Sequence, residues 1–180
     1  MAVTFEATPN PSTLKFLLYP GASSAAFDCP SIDEAQRSPL ATKIFGFPWV
    51  SSIFVGTDFI TVTKADWVEW EYLAQPLSNL IQDHIDRGEP VVVELSEAQV
   101  DDLNDPPVVK QIKTILNNEI RPVVALDGGD IVFYKYENQI LYIHMRGACS
   151  GCPSSTATLK EGIEVRMKEA IPEIQEVVAV

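Results

Sequence analysis

Cysteine is scarce in this chain: three in 180 residues, at positions 29, 149 and 152. An odd and small number does not suggest a disulfide framework and makes a reducing compartment, most simply bacterial cytoplasm, the default expectation. Histidine is scarcer still, with only His84 and His144, and neither has ligand-like spacing to the cysteine pair. Basic residues are outnumbered, 13 Lys and Arg against 25 Asp and Glu, for a formal net charge of −12. Nucleic-acid phosphates and anionic bilayers both attract basic surfaces, so neither nucleic acid nor membrane is an expected partner. No uninterrupted apolar run is long enough to span a bilayer. The opening residues Met1-Ala2-Val3-Thr4-Phe5-Glu6 lack the layout of a secretory signal and the arginine-rich character of a transit peptide. A processed mitochondrial matrix protein would look the same. A phosphate-cradling loop with its lysine, a paired-histidine metal motif and a serine-nucleophile turn are missing too, so the sequence offers no catalytic residues there and an enzyme is not expected.

What is present reads as a globular α+β protein. Hydrophobic residues make up 46% and charged residues 21%, which suits a folded soluble chain. Residues 3–7 and 13–19 have strand composition and flank Thr8-Pro9-Asn10-Pro11-Ser12, a stiff turn. Residues 20–30 read as a turn-rich loop in which Cys29 is incidental. Ser38-Pro39 has the cap-then-proline order that opens a helix, here through about Phe45. Residues 49–55 and 59–64 are β-rich runs around Gly56-Thr57-Asp58, a hairpin, against which Trp67 and Trp70 are expected to pack. Leu73, Leu77, Leu80, Ile81 and Ile85 then recur at helical spacing over residues 71–87, with Gly88 as the stop. His84 on this helix reads as a satisfied residue rather than a ligand. A strand is expected over residues 90–95.

The stretch 94–107 carries five acidic residues and no basic ones, and ends in Pro106-Pro107. Like charges repel and prolines stiffen, so it reads as a spacer between domains. The expected organisation is residues 1–95 as a first domain, 96–107 as an acidic proline-containing linker and 108–180 as a second domain. The last contains nine acidic and eight basic residues, against 16 and five in the rest of the chain. If the acidic part steers partners, it steers basic ones. Apolar residues at 108, 109, 112, 115, 116 and 120 mark an amphipathic helix, which Arg121-Pro122 continues or bends. Asp127-Gly128-Gly129-Asp130 turns into a strand over residues 131–136. A second turn leads to a strand over 140–145, and a helix and a last strand follow. The order α-β-β-α-β implies a compact layout with helices on one face of a small sheet.

The most informative stretch is Arg146-Gly147-Ala148-Cys149-Ser150-Gly151-Cys152-Pro153-Ser154-Ser155. Two thiols three positions apart lie between a strand-like run and a helix-like run. Free backbone N–H groups and the positive end of the helix dipole favour thiolate at such a turn. Two thiolates make half a metal site, because structural zinc and iron–sulfur clusters alike take four ligands. Cys29 is far upstream, and His144, by strand alternation, stands outside the turn. A second chain could complete the shell by presenting the same pair across a twofold axis.

Asp127-Gly128-Gly129-Asp130 followed by Gly147-Ala148-Cys149-Ser150-Gly151-Cys152-Pro153 closely resembles the C-terminal NifU-like domain of Nfu-type iron–sulfur proteins. Thr8-Pro9-Asn10-Pro11-Ser12-Thr13-Leu14-Lys15-Phe16, Arg37-Ser38-Pro39-Leu40-Ala41 and Gly56-Thr57-Asp58-Phe59-Ile60 resemble the Nfu N-terminal domain. The resemblance implies a carrier that holds a [4Fe–4S] cluster between the CxxC motifs of two or more subunits and passes it to apo client proteins. It implies Cys149 and Cys152 as the ligands, homodimers or higher oligomers through the C-terminal domain, upstream assembly scaffolds as further partners, and client docking for the N-terminal domain. Nothing functional is carried onto Cys29. Two alternatives use the same pair: a thiol–disulfide oxidoreductase, and a dimer built around structural zinc.

Overall fold

The computed structural model of the chain describes residues 2–93, 105–150 and 153–180, with the backbone alone for residues 153–156. Two compact units divide it, residues 1–96 and 97–180. Both are α+β.

The first unit is built on a five-stranded antiparallel sheet. Its strands are β1 (Thr4–Ala7), β2 (Thr13–Leu17), β3 (Phe27–Cys29), β4 (Val50–Val55) and β5 (Phe59–Lys64), in the spatial order β1-β2-β5-β4-β3. The β1–β2 hairpin turns where proline, asparagine and serine crowd. There the Thr8 and Asn10 side chains bond to nearby backbone, and Thr13 N donates to Asn10 O at 2.9 Å. Helices α1 (Pro39–Ile44) and α2 (Trp70–Asp86) bury Leu40, Ala41, Ile44, Leu77 and Ile81 in one core with Phe16, Ile53, Ile60 and Val62 of the sheet. Each fully buried aliphatic side chain of this kind contributes about 1.5–3 kcal/mol.

Three local expectations fail here, each through contacts distant in sequence. Residues 27–29 form a strand rather than a loop. Phe27 and Cys29 alternate inward and pair with Val55 and Ile53 of β4, a period too short to read in three residues. Trp70 packs edge-on against Phe16 at 6.4 Å and Trp49 at 6.0 Å, whereas Trp67 is 70% exposed and does not join the sheet. Residues 90–93 form no strand. The Val91 carbonyl accepts the Ser38 hydroxyl at 2.5 Å and Val93 N donates to Arg37 O at 2.8 Å, so the segment is tied to the entrance of α1. Residues 94–95 of the expected strand, and 96–104 of the expected linker, lie outside the described residues.

Ser38 is fully buried and does two things there: its Oγ accepts from Ala41 N at 3.0 Å as the cap of α1 and donates to Val91 O. Ser38→Ala removes the cap and orphans a buried carbonyl. It should destabilise the first unit by about 2–3 kcal/mol, read from urea unfolding midpoints.

His84 is satisfied, as its sequence context implies. It is 1% exposed, Nε2 lies 3.2 Å from Pro90 O, and Nδ1 lies 3.1 Å from Lys43 Nζ. The lysine can only donate, so Nδ1 accepts and the proton sits on Nε2, which makes the ring neutral. Burial, outweighing the Pro90 carbonyl and Glu89, holds the imidazole below its usual 6.5, with Lys43 and Arg87 acting in the same direction. The folded chain therefore binds fewer protons at this site than the unfolded chain. The stabilisation is fully present above pH 6.5 and is lost as pH falls below it. The urea midpoint of the first unit should drop between pH 7.5 and pH 5.5, and drop less in His84→Gln.

The second unit opens with α3 (Pro107–Ile115), passes through a π turn at Leu116–Ile120 and continues as α4 (Arg121–Leu126). Pro122 has no N–H to give to the preceding turn, and the widened turn carries the helix past it. Then come β6 (Gly129–Glu137), β7 (Ile140–Gly147), α5 (Pro153–Ala170) and β8 (Glu176–Ala179), in the α-β-β-α-β order expected. Strands β6 and β7 are antiparallel, joined by a two-residue turn at Asn138 and Gln139 with φ of 53° and 65°; β8 lies parallel to β7. Ile112, Leu116, Val124, Ile131, Leu141, Ile143, Met167 and Val177 form the core between the sheet and its helices. Among the described residues no helix is long and apolar enough to cross a membrane.

Candidate functional site

The candidate site is the turn between β7 and α5. Its strand side is fixed by glycines that answer two different demands. Gly128 and Gly147 take φ of 79° and 65°, left-handed backbone that a side chain would strain. Gly129 is needed for space. It pairs with Gly147 at the end of the β6–β7 ladder, and a Cβ built on it would stand 2.3 Å from Cys149 Sγ and 3.0 Å from Arg146 O. The Cys149 thiol thus occupies the room left by a missing methyl group. Ala148 N donates to Gly128 O at 3.1 Å and Ser150 N to Gly147 O at 3.0 Å, closing the turn.

A partly buried ion pair holds the same segment from the helix side. The Arg121 Nε and Nη2 donate to the two carboxylate oxygens of Asp130 at 2.7 and 2.9 Å, and Nη1 donates to Asn117 at 3.0 Å. The Asp130 side chain is 6% exposed. This two-pronged geometry ties the start of α4 to the residue after Gly129. Sequence reading missed both Gly129 and Arg121 as supports. Asp127-Gly128-Gly129-Asp130 was legible only as a turn, and the partner of Asp130 lies nine residues back.

Cys149 is 5% exposed and packs into the core of the second unit. Burial first, then the charges of Asp127 and Asp130, push its thiol up to about 12. The expectation that the turn favours thiolate is therefore not met at Cys149. The local dipole is outweighed by loss of solvent and by two nearby carboxylates. Cys152 and Gly151 lie outside the described residues. His144 pairs with Val132 and alternates with the buried Ile143 and Met145, so it occupies the sheet face opposite the core that holds Cys149. Cys29 is fully buried in the first unit, where burial and then Asp28 and Glu34 push it up to about 12. Among the described residues no three His, Cys, Asp or Glu side chains converge to hold a metal ion.

A family described as "Scaffold protein Nfu/NifU N terminal" matches residues 3–88, and one described as "NifU-like domain" matches residues 112–178. Together these take in most of the chain, in that order, and the chain belongs to the Nfu family. The "NFU1 iron-sulfur cluster scaffold homolog, mitochondrial" of Drosophila willistoni is 39% identical over 98% of this chain and 63% of its own length. The "NifU-like protein 4, mitochondrial" of Arabidopsis thaliana is 38% identical over 97% and 64%. The chain thus spans less than two thirds of the length of these relatives. A solution structure of a NifU-like protein from Saccharomyces cerevisiae is 28% identical, covering 54% of this chain and 87% of that one, with a TM-score of 0.46.

Gly129→Ala should drive the Cys149 side chain from its seat at a cost of about 1–3 kcal/mol. Alkylation of Cys149 in metal-free protein, followed by peptide mass spectrometry, should then be at least about tenfold faster than in the wild type. An unchanged rate would mean that the backbone yields instead of the thiol.

Proposed function

We propose that this chain is an iron–sulfur cluster carrier, in which two or more copies hold a [4Fe–4S] cluster between their Cys149 and Cys152 thiolates and pass it to apo client proteins. The observation that carries the reading is the cysteine pair between β7 and α5 in a unit that matches the NifU-like domain, together with relatives named as iron–sulfur cluster scaffolds. The cluster is cargo here. A chain presents two thiols at this turn where a cluster takes four, so a second copy supplies the remainder. An arrangement divided between chains has no closed cage, and incoming client thiols can replace the ligands one at a time.

The seat of Cys149 adds a step to loading. A thiol pushed up to about 12 stays protonated until iron displaces the proton, so cluster uptake releases protons and favours higher pH. The thiol also has to turn out of the core to reach a cluster lying between chains. The same burial speaks against the oxidoreductase alternative, since a nucleophilic cysteine works as an exposed thiolate of lowered pKa.

The first unit takes the docking role, its acidic excess matching basic surfaces on clients and upstream assembly scaffolds. The chain divides, on this reading, into a docking domain, an acidic connecting segment and a cluster-binding domain. The relatives named above are mitochondrial, which favours the matrix over the bacterial cytoplasm that cysteine usage alone led us to expect.

Cys149→Ala and Cys152→Ala should each abolish the visible absorbance of the cluster after anaerobic reconstitution with ferrous iron and sulfide, while Cys29→Ala retains it. Iron and sulfide analysis separates a cluster from zinc. An intact band in either of the first two variants overturns the ligand assignment.

A further inference from the structure

The start of α2 divides its aromatic residues between inside and outside. Val68, Trp70 and Leu73 pack against the core of the first unit, with Trp70 edge-on to Phe16 and Trp49. Tyr72 stands two residues further along, about 200° around the helix axis, and so points away from that core. It is 73% exposed, and Trp67, just before the helix, is 70% exposed. Val68 N donates to Ala65 O at 3.5 Å and Tyr72 N to Glu69 O at 3.3 Å, so the two residues sit on consecutive turns of the chain. Among the described residues neither side chain has a ring contact or a hydrogen bond. Large aromatic side chains gain most from leaving water and are enriched where proteins meet.

The charges around this pair are of one sign. Asp66, Glu69 and Glu71 are interspersed with Trp67 and Tyr72, and all three are exposed. Among the described residues none of the three has an ion-pair partner. Residues 65–86 carry five acidic residues and no Lys or Arg. The one ion pair printed on the outer side of α2 is at its far end, where Asp83 binds Arg87.

An aromatic surface with uncompensated carboxylates selects among occupants. A second copy would bring the same negative charge to it, and phosphate-bearing surfaces are repelled likewise. A basic protein segment is attracted, and arginine suits it better than lysine. A guanidinium stacks on an aromatic face while its edge pairs with a carboxylate, whereas an ammonium holds its water more tightly.

We infer that the exposed start of α2, Trp67 and Tyr72 flanked by Asp66, Glu69 and Glu71, is a docking surface for an arginine-bearing segment of a partner protein. The inference rests on the docking role proposed above for the first unit, and gives that role a place and a chemistry. It is independent of how the cysteine pair binds its cargo.

The test titrates the full-length chain with octa-arginine and octa-lysine by calorimetry at two salt concentrations. Three variants are compared with wild type: Trp67→Ala/Tyr72→Ala, Glu69→Gln/Glu71→Gln, and Asp33→Asn/Asp58→Asn, which removes the same charge at exposed positions elsewhere in the unit. All six side chains are exposed, so thermal unfolding should match wild type. Wild type should bind octa-arginine at least about threefold tighter than octa-lysine, and the aromatic variant should lose that preference. The glutamine variant should bind both peptides at least about threefold more weakly, and the loss should shrink as salt rises. Asp33→Asn/Asp58→Asn should change either affinity less than that. If octa-arginine binds equally well to the aromatic and glutamine variants, or if Asp33→Asn/Asp58→Asn weakens it as much, the assignment to α2 is overturned and the docking role stands. If neither peptide binds the wild-type chain, the docking role falls and the α2 surface with it. If light scattering shows a wild-type oligomer that Trp67→Ala/Tyr72→Ala dissociates, a second copy occupies the surface and the arginine-bearing partner is overturned.

Discussion

The second unit is arranged around a thiol fitted into the space of a missing side chain. Cys149 packs against Gly129, and that contact sets the conditions on everything nearby. The β6–β7 ladder has to close on a glycine pair, 129 opposite 147. The neighbouring glycines, 128 and 147, have to accept left-handed backbone so that the chain can leave the ladder and enter the turn. Asp130 has to be held still, and Arg121 does so with two hydrogen bonds from the helix side. Helix, ladder and turn converge on one sulfur atom, and none of the three alone would place it.

Much of this architecture could be read in the residues. Helical spacing of leucine and isoleucine gave α2, and Ser38-Pro39 gave the start of α1, because both signals are local. The Gly56-Thr57-Asp58 hairpin and the tight turn at Asn138 and Gln139 were visible for the same reason. The pairing of Cys149 with Cys152 stood out by spacing. What escaped was non-local. β3 exists because Phe27 and Cys29 find Val55 and Ile53 across the sheet. Val91 leaves the expected strand because Ser38 captures its carbonyl. Trp67 and Trp70 look alike in sequence, yet one is open to solvent and the other wedges between Phe16 and Trp49. The chemical state of Cys149 was misjudged for a related reason. The dipole of the following helix is a feature of the local chain, whereas burial under the core and the proximity of Asp127 and Asp130 are products of the folded unit.

The two units differ in what they keep dry. The first spends polar groups inside its core, with Ser38 and His84 each paired to the segment around residues 90–91, so its integrity depends on hydrogen bonds that acid or truncation would remove. The second keeps a thiol among aliphatic side chains and places a two-pronged ion pair close to it in the chain.

The π turn at Leu116–Ile120 acts as a phase shifter. In an unbroken α-helix each residue advances about 100°, so Val123 would fall within about 20° of buried Leu116 and Val124 would swing about 80° off that line. The wider turn holds one extra residue, which delays the spiral by about 100° and exchanges the two. Val124 is delivered to the interior, and Val123 and Leu126 are rotated outward. Removing a single residue from the bulge would reset the screw and turn that side of the helix in upon its own sheet.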